Sequence, residues 1–128
     1  MAKILIVDDN PDVLQVMQLL LGSRGYEVEV TTKGGDTLEL VNTFQPDLVF
    51  LDIHLGGMDG RDISVALKSA EATKHLPIIL FSANIIKGTT LQDSLADDFI
   101  AKPFDIHELL IKVGKLIGRD SEPESITA

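Results

Sequence analysis

Three carboxylates, a hydroxyl and an amine stand at comparable places along this 128-residue chain. Asp8 and Asp9 follow the apolar run Ile4-Leu5-Ile6-Val7, and Asp52 follows Leu48-Val49-Phe50-Leu51. Ser82 follows Ile78-Ile79-Leu80-Phe81, and Lys102 follows Asp98-Phe99-Ile100-Ala101. Crowded carboxylates repel, and each raises its neighbours' pKa unless a cation neutralises them. Mg²⁺ suits that role, because it prefers oxygen ligands, keeps several waters and shares its remaining positions with phosphate oxygens. A carboxylate beside it can attack phosphorus and become an aspartyl phosphate. The Ser82 hydroxyl and the Lys102 ammonium can then stabilise the charge on the transferred group's equatorial oxygens. Asp52 is the nucleophile candidate, because its run is apolar on both faces and belongs at the centre of a sheet.

The elements that must position these groups alternate between strand and helix patterns, as in a parallel sheet with crossover helices. After the first run, Asn10 reads as an N-cap with Pro11 at the first helical position. Val13, Val16, Met17, Leu20 and Leu21 then recur at helical spacing, up to the stop signals Gly22 and Gly25. Glu27-Val28-Glu29-Val30-Thr31 alternates like a half-buried or edge strand. Asp36 reads as the cap of a second helix that bears Leu38, Val41 and Phe44 and is ended by Pro46. A glycine-rich loop runs from His54 to Gly60, before a helix with Ile63, Ala66, Leu67 and Ala70. The stretch from Ala83 to Ala96 is the least regular, since Gly88-Thr89-Thr90 are poor helix formers. Pro103 and Phe104 lead into a last helix with Ile106, Leu109, Leu110, Val113, Leu116 and Ile117. Residues 119–128 are polar and read as a tail or the start of a linker.

Five such units predict one domain over residues 1–118, a doubly wound α/β three-layer sandwich around a five-stranded parallel sheet. Open sheets of this kind bind ligands beyond the carboxyl ends of their strands, where strand order reverses. That is where the five polar residues fall.

Composition removes other classes. With 45% hydrophobic and 24% charged residues, the chain is neither disordered, nor collagen-like, nor a coiled coil. It has no cysteine, which excludes disulfides, zinc–thiolate sites, iron–sulfur clusters and a thiol nucleophile. A formal charge of −9 opposes phosphate-backbone binding, so no direct nucleic-acid contact is expected. No apolar stretch approaches the roughly 18 residues of a membrane span, and the four apolar residues before Asp8 are too few for a signal peptide. The expected location is cytoplasmic, without membrane insertion. His54, His75 and His107 lack metal-like spacing, and Gly56-Gly57 lacks the spacing and lysine of a phosphate-binding P-loop.

Val7-Asp8-Asp9-Asn10, Pro46-Asp47-Leu48-Val49-Phe50-Leu51-Asp52, Met58-Asp59-Gly60, Leu80-Phe81-Ser82-Ala83 and Asp97-Asp98-Phe99-Ile100-Ala101-Lys102-Pro103-Phe104 occur in this order over nearly the whole chain. The set resembles the response-regulator receiver domain of two-component phosphorelay signalling, which has a flavodoxin-like (βα)5 fold. The resemblance implies that Asp52 accepts a phosphoryl group from a histidine kinase or a histidine phosphotransfer protein. It implies that Asp9 ligates Mg²⁺ directly and Asp8 largely through water, with Asp52 and the His54 backbone carbonyl completing the protein ligands. Ser82 and Lys102 would bind phosphoryl oxygens, and Ser82 with Phe99 would form the switch that alters the face shown to a downstream protein or fused output domain. Such a domain catalyses only its own phosphorylation and dephosphorylation, so it is not an enzyme in purpose.

Departures from the family pattern carry expectations of their own. Leu55-Gly56-Gly57 replaces the family's commoner Met-Pro, which predicts a looser loop. His54 and Asn84, two residues after Asp52 and Ser82, stand where the family varies and would tune phosphoryl lifetime. Leu95 stands where the family usually ends its fourth helix with glycine, and the segment from hydroxyl to lysine is about two residues shorter than usual, which predicts a short or distorted fourth helix. Two other readings compete. A phosphatase of the haloacid-dehalogenase type shares the Asp, Ser, Lys and Mg²⁺, but it expects a second acid where His54 stands. A receiver-like module that works by fixed contacts without phosphorylation is the third.

Overall fold

The computed structural model describes residues 1–83 and 90–118. In chain order the elements are β1 (Lys3–Val7), α1 (Pro11–Gly22), β2 (Glu27–Thr31), α2 (Thr37–Phe44), β3 (Leu48–Asp52), β4 (His54–Leu55), β5 (Met58–Asp59), α3 (Gly60–Ser69), β6 (Ile78–Ser82), α4 (Thr90–Ser94), β7 (Asp98–Ala101) and α5 (Ile106–Ile117). Five strands pair in parallel in the order β2-β1-β3-β6-β7, and β3 is central and buried along its whole length. This is the doubly wound α/β fold that the alternating runs predict. Strand order reverses between β1 and β3, so the ends of those two strands flank the switch point.

Side chains alternate between the two faces of the sheet. Ile4, Ile6, Phe50, Ile79, Phe81 and Ile100 cover one face and pack against Leu14, Met17 and Leu21 of α1 and Leu109 and Val113 of α5. Leu5, Val7, Val49, Leu51, Ile78 and Leu80 cover the other, against Val41 of α2 and Ile63 and Leu67 of α3. The helical stripes are narrower than the sequence pattern indicates. Val16 and Leu38 are half exposed, and Ala66 and Ala70 face solvent, because each two-turn stripe needs only its central residues to fill the layer.

Local chemistry sets the helix starts. The Asn10 side chain accepts from the Asp12 N–H at 2.9 Å, with Pro11 opening α1 as expected. Asp59 caps α3 through the Arg61 N–H at 2.9 Å, and Asp105 caps α5 through the His107 N–H at 2.8 Å. A 3₁₀ turn over Gly34–Asp36 precedes α2, and Asp36 makes no side-chain cap to that helix. Two stretches differ from expectation. The glycine-rich segment after β3 is a tight hairpin, in which His54 pairs with Asp59 and Leu55 with Met58 around a left-handed Gly56. Leu55 is buried, so this loop is anchored rather than loose. The end of α2 is set by Gln45, left-handed at φ 54°, one residue ahead of Pro46. The fourth helix is described only over Thr90–Ser94 and closes on Leu95 at φ 64°, the left-handed position that the family fills with glycine. Asn84, the 119–128 tail and residues 85–89 lie outside the described residues. Among the described residues, no helix is long and apolar enough to cross a membrane.

Two glycine exchanges of opposite sign test these backbone readings. A Cβ on Gly60 would lie 2.1 Å from the Asp52 carbonyl oxygen and 2.9 Å from its carbon, backbone atoms that cannot step aside. Gly60→Ala is expected to cost about 1–3 kcal/mol or more and to disturb the end of β3. Gln45→Gly relieves about 1–2 kcal/mol of left-handed strain against about 0.5–1 kcal/mol of added chain entropy. It should gain up to about 1.5 kcal/mol in urea unfolding, and a loss there would refute the reading of Gln45.

Candidate functional site

The alternation that builds the core also builds the site. Counting on from Ile4 and Ile6 places Asp8 on the α1/α5 face, and Asp52 follows Phe50 on the same face. Lys102 follows Ile100 on that face from the far side of β6. All three meet at the switch point. The carboxylates of Asp8, Asp9 and Asp52 offer oxygens within 4.8 Å of one another, with Asp8 and Asp52 buried and Asp9 exposed. Lys102 Nζ lies 2.6 Å from Asp8 Oδ2 and 3.1 Å from Asp52 Oδ2. Backbone N–H groups hold the remaining oxygens: Asn10 donates to Asp8 Oδ1 at 2.8 Å, and His54 donates to Asp52 Oδ1 at 3.2 Å.

Burial first, and then the Asp8 charge, push the Asp52 carboxyl above its ordinary range; Lys102 and the His54 N–H pull the other way without cancelling them. Burial alone would lower the Lys102 ammonium, but its contacts with Asp8 and then Asp52 overcome that and leave it raised. The cluster therefore holds a firmly charged lysine and an acid that is uncomfortable when ionised. Three acids against one lysine leave excess negative charge on an all-oxygen donor set, which is the chemistry a hard dication fits.

Ser82 and Phe99 occupy the opposite face. Ser82 is fully buried at the end of β6, level with Ala101 of β7, and its carbonyl accepts from the Lys102 N–H at 2.9 Å. Phe99 is half-buried beside Leu80 and packs against the α2/α3 core, while its carbonyl accepts from Lys112 Nζ at 2.7 Å. His54 opens the hairpin with its side chain exposed. Two features escape a reading by residue type. One is the direct Asp8–Lys102 ion pair; the other is the Phe81 ring, whose centroid lies 4.9 Å from Lys102 Nζ. Strand parity carries the signal for both, but only once the strand order is known.

Fold and site together define a doubly wound α/β protein with an acidic, cation-suited pocket at its switch point. A sequence model of the response-regulator receiver domain matches residues 4–114, and the chain belongs to that family. It is 35% identical over 124 residues to the DNA-binding dual master transcriptional regulator RpaA of Synechocystis sp., an alignment that covers 93% of this chain and 50% of RpaA. The chain spans about half the length of the curated relatives it matches. Among solved structures, a response regulator of Chloroflexus aurantiacus superposes with a TM-score of 0.85 at 31% identity, covering 92% of this chain and 98% of that one. The receiver domain of the sensor histidine kinase PA1611 of Pseudomonas aeruginosa, with a magnesium ion coordinated in its active-site cleft, gives 0.82 at 30% identity, covering 91% and 98%. Relatives named as DNA-binding give no support to the expectation that nucleic acid is not contacted.

The raised Asp52 has a thermodynamic consequence. An acid whose folded pKa lies above its unfolded value costs stability wherever it is ionised, and that cost fades as pH falls through the folded value. In protein free of divalent cations, Asp52→Asn is expected to raise the urea midpoint at neutral pH. Its advantage should shrink toward acid, where Asp52 protonates. An advantage that grew on acidification would contradict this electrostatic picture.

Proposed function

We propose that the chain is a phosphoacceptor switch in which Asp52 takes a phosphoryl group from a histidine kinase or a histidine phosphotransfer protein. The observation that carries this reading is a buried Asp52 within 4.8 Å of two further acids and held by Lys102 at 3.1 Å. An Asp52 oxygen attacks phosphorus, the bond from phosphorus to the donor atom breaks, and the donor leaves with the electron pair. Lys102, already at the Asp52 carboxylate, would turn to a phosphoryl oxygen, and the Ser82 hydroxyl, at the carboxyl end of the adjacent β6, would donate to a second. Asp8, Asp9, Asp52 and the His54 carbonyl would hold Mg²⁺, as the PA1611 receiver holds magnesium in its cleft; when bound, it supplies the positive charge that lets three acids and a phosphoryl group share one place. Ser82 and Phe99 would relay the change to a partner-binding face. His54 and Asn84 would tune the lifetime of the adduct. In this reading residues 1–118 form the receiver, and 119–128 a polar tail or the start of a linker to an output domain. The protein works in the cytoplasm and turns over no external substrate.

Intact mass after incubation with Mg²⁺ and acetyl phosphate tests the reading. The expected result is a gain of one phosphoryl group, absent without Mg²⁺ and absent in Asp52→Asn. Mg²⁺ at a hundred times its dissociation constant should also stabilise the fold by about 2.7 kcal/mol. Steady hydrolysis of a phosphomonoester would point instead to a phosphatase. No adduct from either acetyl phosphate or a histidine-phosphorylated donor would point to a fixed-contact module.

A further inference from the structure

We infer that Phe81 is a positioning residue for the phosphoryl-transfer chemistry, its ring face carrying the Lys102 ammonium across β6 to Asp52 and Asp8. The inference rests on the phosphoacceptor reading above and extends it to an apolar residue beside the acids and the lysine of the pocket. Its basis is the geometry of the sheet. Lys102 follows β7 and Asp52 ends β3, with β6 between them. Neighbouring strands lie about 4.8 Å apart, so the lysine must span roughly twice that distance over β6. The β6 residue level with Asp52 is Phe81, which is paired with Asp52 on one side and with Ile100 on the other.

The ammonium lies 4.9 Å from the centroid of that ring, within the roughly 6 Å over which a ring face attracts a cation. The ring itself cannot turn away. It is fully buried, 5.6 Å from the Phe50 ring and 6.3 Å from the Phe104 ring. An aliphatic side chain here would desolvate the ammonium and return nothing for it. The attraction to a ring face is also broad, whereas the contacts to Asp8 and Asp52 are short and directional. Phe81 can therefore keep the ammonium in the pocket while it leaves a carboxylate oxygen for a phosphoryl oxygen. A purely structural Phe81 would fill the same core volume without any dependence on its ring charge distribution.

That difference defines the experiment. Phe81 is replaced in the full chain by mono-, di- and trifluorophenylalanine, which weaken the ring's hold on a cation while nearly preserving its shape. The rate of Mg²⁺-dependent phosphorylation by acetyl phosphate should fall stepwise with each fluorine, by about three- to tenfold over the series. Two readouts are independent of turnover. The Lys102 ε-methylene protons should show an upfield ring-current shift in the parent that is lost in Phe81→Leu. In Mg²⁺-free protein the same series should lower the unfolding midpoint, an effect abolished in a Lys102→Met background. An active parent with a flat fluorine series, or a Lys102 signal without ring-current shift, overturns the assignment of Phe81 alone. A parent that accepts no phosphoryl group overturns the phosphoacceptor reading and this one together, while the proton shift still reports the contact.

Discussion

The structure around the site depends on one shared ammonium. Asp8 is fully buried and Asp52 nearly so, and taking a lone carboxylate out of water is costly unless it is paired and hydrogen-bonded. Lys102 answers for both, at 2.6 Å and 3.1 Å, from a strand that neighbours neither β1 nor β3. The five-stranded order is therefore part of the electrostatics. A sheet that stopped at β6 would bring the acids together without the ammonium that opposes them. Even with Lys102 in place, burial first and the Asp8 charge second keep the Asp52 carboxyl above the ordinary aspartate range.

The alternation of the strands divides the labour. Asp8, Asp52, Phe81 and Lys102 emerge on the α1/α5 side, where charge is gathered and held. Ser82 and Phe99 emerge on the α2/α3 side, where Leu80 and the buried faces of those helices form the second core. One peptide step along β6, from Phe81 to Ser82, crosses between the two. Asp52 is paired with Phe81 across the sheet, one residue before that crossing. On the α2/α3 side the Phe99 ring is half-buried against the second core, and its carbonyl accepts from Lys112.

Much of this was legible in the residues themselves. Four apolar runs ending in polar side chains are hard to produce by chance, and each run became a strand within a residue of its predicted ends. The acids could be placed at the switch point because parallel sheets expose only those strand ends to ligands. What the residues could not show was register. The Asp8–Lys102 pair and the Phe81 contact join strands far apart in sequence, and their pairing follows from strand order rather than from any local pattern. The hairpin at Gly56 was hidden for another reason: a glycine pair signals a turn, while the anchoring comes from Leu55 packing into the distant α2/α3 layer. Leu95 was the reverse case, since a missing glycine drew attention to a position where the backbone is left-handed all the same.

A pocket so rich in acid needs support beyond Lys102, and the helix starts provide it. α1, α3 and α5 each begin at the end of the sheet where the acids gather, each following a strand end of the site. Their first N–H groups carry partial positive charge, which favours anions nearby. Asn10, Asp59 and Asp105 cap these helices and fix where each begins, and the Asn10 backbone also holds Asp8 directly. Gly60 lets α3 start against the Asp52 carbonyl, closer than any other residue could approach. Asp52 is thus held partly by backbone, through the His54 N–H on its side chain and the close approach of Gly60 to its carbonyl. A phosphoryl group arriving on Asp52 would change the electrostatics of the pocket while leaving its frame in place. In the proposed switch, that combination would let a change of charge become a local rearrangement rather than an unfolding.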